Sequence, residues 1–381
     1  MEMVKFADIV ERVNTKEDRF NTGKLYYVGG EHIDSNELMV HGRGVIKGST
    51  IGPMFYCGFK AGDILFVTRN PHLRKCASVD FDGICSEKTF VLATKDSSKL
   101  LQEYLALVMQ SDDFWTYCDE NKSGGVNFFV NWSTLANYEF ELPSIEEQRA
   151  IADKVWAAYE VKQSYKNLLE QTDKLLRAEF QKIQDEAKEE RLGSYINIVR
   201  GVSFKPNDIC DKDSNAKVIL RANNISNGAL NFDDLVFVKE ERVKDVQLLR
   251  HGDVLMCASS GSQEHVGKVA LVGENYTDVS FGAFCMVVRH KDIVPEYLFS
   301  LLWSSSFREH IELMCNGTNI LNVRKEYVED WVCHIADKEE QQRFVTIFAK
   351  AEQTKASLRK GITAIEAVIR SLIAEGTAVL G

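Results

Sequence analysis

Polar side chains able to read or grip a nucleic acid gather in a few short loops of this 381-residue chain. TRNPHLRK (68–75) puts Arg69, Asn70, His72, Arg74 and Lys75 in one turn, directly after an apolar run. SSGSQEHVGK (259–268) follows a second apolar run and carries Ser260, Ser262, Gln263, His265 and Lys268. Two glycine-bearing loops add Lys122 and Asn127 in one case, and Asn316, Thr318, Asn319, Arg324 and Lys325 in the other. Arg43 and Lys47 sit in a glycine-rich turn. Arginine suits the guanine edge in the major groove, asparagine and glutamine the adenine edge, and lysine or serine the phosphates. Any one of these residues alone is most simply a solvated loop residue. Their clustering at equivalent places is what carries the nucleic-acid reading.

Catalytic chemistry finds no comparable support. The sequence has no G-x-x-x-x-G-K-[ST] phosphate loop, no strand-borne G-x-G-x-x-G, no G-x-S-x-G elbow and no H-E-x-x-H. Asn70-Pro71-His72 approaches the N-P-P-[YF] motif of adenine methyltransferases. It lacks the second proline and the aromatic ring that would stack a flipped base. None of the nine cysteines falls in a C-x-x-C or other zinc-ligand spacing, so they read as buried thiols in a reducing cytosol. The expectation is a chain with no catalytic group, no metal and no cofactor of its own.

Composition sets outer limits. A hydrophobic content of 45% and a mean hydropathy of −0.21 describe an ordinary soluble protein, long enough for two or three domains. No apolar run reaches membrane-spanning length, and MEMVKFADIVERV lacks the apolar core of a signal peptide, so a cytoplasmic protein with no membrane partner is expected. The net charge of −10 argues mildly against binding nucleic acid by bulk electrostatics. Net charge is not patch charge, and much of the acid lies in helical segments.

Two long amphipathic stretches must position the loops. The first opens with LPSIEEQRAIADKV (142–155), where Ser144 and Glu147 have capping-box spacing. Behind them Ile151, Val155, Ala158, Lys162, Tyr165, Leu169, Thr172, Leu176 and Ile183 form one helical stripe, the seam of a coiled coil, with Gly193 as the expected C-cap. A second stripe is entered through DKEEQQRFVTIF (337–348) and comprises Phe344, Phe348, Ala351, Lys355, Leu358, Ile362, Ile365, Ile369 and Leu372. Each seam carries one lysine, Lys162 or Lys355, a costly choice that fixes register. A helix of about 40 residues reaches roughly 60 Å, which reads as a spacer.

The helices belong to an internal repeat. GGEHIDSNEL (29–38) aligns with ANNISNGAL (222–230), pairing His32-Ile33 with Asn224-Ile225, and KAGDILFVTRNP (60–71) aligns with RHGDVLMCASSG (250–261). KTFVLATKD (88–96) and CMVVRHKD (285–292) each read as a strand followed by an amphipathic helix, and a steady shift of about 190 to 194 residues is expected along the repeat. The predicted fold class is mixed α/β (α+β). It has similar globules at 1–141 and 193–335, alternating with long helices at 142–192 and 336–381 that pair as an antiparallel coiled coil. Two globules on a rigid rod suit an extended ligand with two separated marks, and double-stranded DNA is the obvious one.

The whole chain resembles the specificity (S) subunit of type I restriction–modification systems. The residues carrying the likeness are LPSIEEQRAIADKV (142–155), DKEEQQRFVTIF (337–348), RGVSFK (200–205), RANNISNG (221–228) and the paired AGDILF and HGDVLM strands. The resemblance implies two target recognition domains, each reading half of a bipartite target, in a non-catalytic subunit. It adds Lys205, Asn223 and Asn224 to the DNA-binding candidates. It also implies two methyltransferase (M) subunits docked on the coiled coil, restriction (R) subunits, and adenine methylation by the partner with S-adenosylmethionine. The first half begins abruptly, without a clear counterpart of RGVSFK. The alternative is a two-domain coiled-coil adaptor whose globules bind protein. On the DNA reading, Arg69→Ala or Arg74→Ala should weaken one half-site by about 1–3 kcal/mol. Lengthening the first helix by a turn should change the spacer between half-sites.

Overall fold

The two aligned apolar runs become central strands, and their unbroken hydrophobicity has a physical cause. The computed structural model describes residues 2–212, 215–262, 265–315 and 321–377, with Leu321 described in its backbone only. Strands Ile64–Val67 and Val254–Cys257 are buried throughout. Successive side chains of a strand face opposite sides. Ile64 and Phe66 enter a core shared with helices, whereas Leu65 and Val67 enter the core beneath a second sheet. Val254 and Met256 divide from Leu255 and Cys257 in the same way. A strand covered on both faces has no use for polar alternation. Ahead of each strand a glycine takes a left-handed conformation, Gly62 at φ +95° and Gly252 at φ +82°. The following aspartate closes the turn: Oδ2 of Asp63 accepts Lys60 N–H at 2.7 Å, and Oδ2 of Asp253 accepts Arg250 N–H at 2.9 Å.

The chain divides into two compact units, Met1–Leu168 with Leu358–Gly381, and Leu169–Ser357. In the first, a four-stranded antiparallel sheet has the order Val10–Val13, Thr89–Thr94, Ile64–Val67, Cys76–Ser78. A five-stranded sheet has the order Thr15–Lys16, Phe55–Phe59, Gly83–Ser86, Tyr26–Val28, Gly44–Val45, with one parallel pair, Tyr26–Val28 on Gly83–Ser86. The second unit repeats the plan with Ile196–Arg200, Cys285–His290, Val254–Cys257 and Val269–Leu271. Its companion sheet is Val236–Lys239, Ala216–Leu220, Val279–Phe281, again with one parallel pair, Ala216–Leu220 on Val279–Phe281. The fold class read from the sequence is borne out.

The long helices run Ile145–Asp185 and Lys338–Thr377, and each unit holds one part of both. In the first unit Ala152, Val155 and Tyr159 pack on Ile369 and Ile373, so the start of one helix meets the end of the other. A Cβ on Gly361 would lie 2.4 Å from the Tyr165 ring, which explains a glycine inside a helix. In the second unit Phe180 and Ile183 pack with Phe344 and Phe348, the Phe180 and Phe344 rings 5.0 Å apart. Pairing is therefore antiparallel, as expected from the sequence. The remaining predicted seam residues, among them Ile151, Leu169, Leu176, Leu358, Ile362 and Ile365, are half-buried.

The helix starts show why their sequences agree. Ser144 and Glu147 form the capping box: Glu147 Oε2 accepts Ser144 N–H at 2.9 Å, and Ser144 Oγ accepts Glu147 N–H at 3.3 Å. Asp337 caps the second helix, accepting Glu340 N–H at 2.9 Å. One turn in, Gln148 is fully buried, its amide donating to Lys99 O and Pro143 O while its Oε1 accepts Leu101 N–H. Gln341 does the same work, donating to Ala336 O and accepting Val294 N–H. Leu101 and Val294 are the N-caps of the short helices Gln102–Val108 and Pro295–Trp303. Each glutamine thus ties its long helix to a helix of the adjoining globule.

Both seam lysines are ion-paired. Lys162 meets Glu37 at 2.8 Å and Glu366 at 3.2 Å, while Lys166 also reaches Glu37 at 2.8 Å. Burial alone would raise the Glu37 pKa, but hydrogen bonds from Lys162 and Lys166 overcome it and hold the carboxyl below its ordinary value. Tyr159 donates to the other Glu37 oxygen at 2.9 Å. Lys355 meets Asp173 at 2.8 Å and also contacts Glu352.

Several details depart from the sequence reading. The first long helix stops at Asp185, where the apolar stripe has ended and further turns would bury nothing. Gly193 is not its cap but lies in the short turn Leu192–Ser194, where a Cβ would sit 2.8 Å from Glu329 O. The first half also has the opening strands for which its sequence shows no clear counterpart. Glu2–Lys5 pairs with Glu139–Leu142 as Lys188–Arg191 pairs with Val332–Ile335, and Val10–Val13 pairs with Thr89–Thr94 as Ile196–Arg200 pairs with Cys285–His290. The repeat shift is not steady either. Val67 matches Cys257, but their partners Thr89 and Cys285 lie about six residues further out of step.

Candidate nucleic-acid interface

Three chain segments meet at one backbone junction in each unit. In the first, Thr68 leaves the central strand and donates its N–H to Lys88 O at 2.9 Å, while its own carbonyl accepts Val130 N–H at 2.9 Å. In the second, Ala258 donates to Phe284 O at 2.8 Å and accepts Val323 N–H at 2.7 Å. The loop after the strand, the turn before the partner strand and the loop before a short helix are thereby fastened together. Those helices are Trp132–Ala136 and Lys325–Glu329. The frame is common and the side chains on it differ.

In the first unit the junction gathers Arg69, Asn70, Lys122 and Asn127. Arg69 pairs across with Phe129, its guanidinium 5.1 Å from that ring, and donates to Asn127 O at 3.5 Å. Asn70 is in the left-handed conformation, donates its N–H to Phe128 O and leaves its side chain exposed. Lys122 is ion-paired to Asp119 at 2.6 Å and lies over the Phe128 ring at 4.7 Å. His72 is exposed on the adjoining turn Pro71–Leu73. Phe128 and Phe129, which support these cations, were not singled out by the sequence reading. Cation–ring packing of this kind leaves no mark in one sequence beyond an aromatic in a loop.

Arg74 and Lys75 turn toward the protein. Arg74 Nη1 lies 2.5 Å from Asp112 Oδ1 at the start of helix Asp112–Glu120, and Lys75 donates to Gly30 O at 2.7 Å. Arg43 and Lys47 are exposed but flank Gly44–Val45, the edge strand of the five-stranded sheet, with Arg43 lodged over the Tyr26 and Phe81 rings.

In the second unit Ser259–Ser260 pairs with Leu321–Asn322 across the junction. Ser260 Oγ accepts Ser262 N–H at 3.2 Å, and His265 Nδ1 lies 2.9 Å from Lys268 Nζ. Arg324 is exposed, with its guanidinium 5.8 Å from the Tyr327 ring, and Lys325 pairs with Glu329 at 3.0 Å. Gln263, Asn316, Thr318 and Asn319 lie outside the described residues. Lys205 is exposed at the start of the turn Pro206–Asp208, its backbone N–H held by Asp208. That bond first, and Arg242 after it, keep the Asp208 carboxyl below its usual range despite burial.

Asn224 requires correction as a contact residue. It is fully buried, with its amide donating to Asn231 O and Asp233 O and its Oδ1 accepting Arg221 N–H at 2.8 Å. At the matching place His32 Nδ1 accepts Gly29 N–H at 2.9 Å. Both are turn-formers whose shared property is an acceptor three residues along. Asn223 beside it is exposed and donates to Asp234 at 3.2 Å.

The first long helix exposes Val161, Leu168 and Leu175, seven residues apart, and the second exposes Val368. Among the described residues no helix is long and apolar enough to cross a membrane, and no group of three or more His, Cys, Asp or Glu could hold a metal.

No protein-family model matches the chain. It is 34% identical over 169 residues, 43% of its length, to the type I restriction enzyme StySPI specificity subunit of Salmonella potsdam. It is 34% identical over 166 residues, 42% of its length, to the EcoKI specificity subunit of Escherichia coli (strain K12). The matches span 36% and 35% of those relatives, little more than a third of their length. Among solved structures, a chain from a study of assembly and conformational transition in the type I R-M system superposes with a TM-score of 0.57 at 18% identity, covering 98% of this chain and 97% of that one. The type I restriction–modification S subunit from M. genitalium gives a TM-score of 0.57 at 14% identity, covering 100% and 96%. The resemblance carried by the helix-start signatures is borne out: this chain is similar in sequence to type I restriction–modification specificity subunits and has their fold.

Proposed function

We propose that this chain is the non-catalytic DNA-specificity subunit of a type I restriction–modification complex, and that it reads a bipartite double-stranded target with one half-site per globule. The observation that carries the reading is the twin junction, in which matching backbone hydrogen bonds tie together loops that carry Arg69, Asn70, Lys122 and Asn127 in one unit and Ser260, Ser262, His265, Lys268 and Arg324 in the other. A shared frame with exchanged side chains is the arrangement two different half-sites demand. Exposed apolar residues on the long helices support docking of two methyltransferase subunits, with restriction subunits completing a cytoplasmic complex. Adenine methylation would then belong to the partner and its S-adenosylmethionine. The long helices would act as the ruler between half-sites.

The test is a methylation map of DNA from cells carrying this chain with its neighbouring methyltransferase. The expected result is methyladenine at a split motif, two short blocks around an unspecified spacer. A methyltransferase active with another specificity subunit, yet producing no such motif with this chain, would instead support a coiled-coil adaptor that binds protein.

A further inference from the structure

The turn that closes each junction carries one further side chain, and it differs between the units. In the first unit it is Lys88, whose Nζ lies 2.8 Å from Glu87 Oε1. In the second it is Phe284, 71% exposed. The two positions are the same place in the frame. Each carbonyl accepts the N–H of the residue that follows the central strand, and each residue precedes a matching pair, Thr89 facing Val67 and Cys285 facing Cys257. Phe284 O also accepts Ser259 N–H at 3.0 Å, which fixes the turn against the serine loop. An isolated exposed phenyl is ordinary on a protein surface. Its position is what argues here, since the other unit sets a cation at that point.

Resting on the reading of the junction as a DNA-reading edge, we propose that Phe284 is a specificity-determining residue of the second globule, making apolar contact with the C5 methyl of a thymine in its half-site. In the major groove that methyl is the one apolar group by which a base pair identifies itself. The neighbouring hydroxyls of Ser259 and Ser260 can bond to either kind of base edge, so they discriminate little alone. A ring on a tight turn has two side-chain torsions to immobilise and loses little entropy on docking. Lys88 cannot make this contact, so thymine-methyl recognition at this position belongs to the second globule alone.

The experiment uses the assembled methyltransferase complex with wild-type, Phe284→Ala and Phe284→Leu chains, on duplexes carrying the mapped target. Each thymine of the target is replaced in turn by uracil, which lacks only the methyl. The wild-type complex should lose about fivefold or more in methylation rate at one position of one half-site. Phe284→Ala should lose as much on the unmodified duplex and be indifferent to uracil there, and Phe284→Leu should keep part of the sensitivity. Unchanged rates for Phe284→Ala, a uracil effect that survives it, or no uracil effect in the wild type would overturn the proposal and leave the specificity-subunit reading standing. A wild-type complex that methylates no split motif would defeat that reading, and this inference with it.

Discussion

Lys162 and Lys355 occupy matching places in the two stripes, yet their surroundings differ. Lys162, with 6% of its side chain exposed, is held by Glu37 of the first globule, itself 10% exposed, as well as by Glu366 of the opposite helix. Lys355 is held by Asp173 and Glu352, carboxylates that are 47% and 42% exposed and both belong to the long helices. In the second unit the globule meets the helices through rings instead, with Tyr297 packed against both Phe180 and Phe344. One register device has therefore acquired a second task in the first unit, fastening globule to helix pair. The difference teaches that equal sequence position does not mean equal energetic weight. A buried lysine without its carboxylate is costly, whereas a rim pair is nearly neutral.

The comparison can be broken most forcefully at Glu37. Glu37→Ala should destabilise the first unit by about 3 kcal/mol, because Lys162 stays buried with only the more exposed carboxylate of Glu366 to pair with. Hydrogen exchange resolved by unit should show this with the second unit unaffected. The carboxyl is held below its ordinary value of 4.5, so its contribution is present above that pH and fades as acid takes the pH through the lower folded value. Acid titration of first-unit stability should show this loss, and Glu37→Gln should flatten it.

The two glutamines sharpen the comparison from the opposite side, because there the units agree. Gln148→Ala and Gln341→Ala should each cost about 2 kcal/mol in their own unit by leaving buried backbone groups unpaired. Denaturation midpoints that fall for one and not the other would show that the two ties differ. The smallest effect is expected at the second seam lysine. Lys355→Met should stay within about 0.5 kcal/mol of wild type, since the carboxylates it releases can hydrate. A loss as large as that of Lys162→Met would erase the distinction.

The long helices were legible in the sequence because nine seam positions repeat one period, and their pairing followed from having one apolar face each. Their ends were less so, since Gly193 looks like a cap whether or not a helix reaches it. The glutamines were visible as part of a signature, but their partners are backbone groups at Lys99, Leu101 and Val294, which no residue type announces. Asn224 looked like an adenine reader because its type permits it. Its alignment with His32 held the correction, for those two residues share little except an acceptor. The turn before the partner strand escaped notice at each junction because the repeat slips by about six residues just before it, hiding the match of Lys88 with Phe284.

The central claim is that each junction reads its own half of the target, and Arg69 tests it most directly. Arg69 lies at the first junction against Phe129, whereas Arg74 is tied to Asp112. Methylation maps of cells carrying wild-type, Arg69→Ala or Arg74→Ala chains should show one block of the split motif relaxed by Arg69→Ala, at a cost of about 1–3 kcal/mol in discrimination. The other block and the spacer should stay intact, and Arg74→Ala should keep the wild-type motif. Equal weakening of both blocks by Arg69→Ala would contradict the account, since it would make that side chain a general support and not a reader of one half-site.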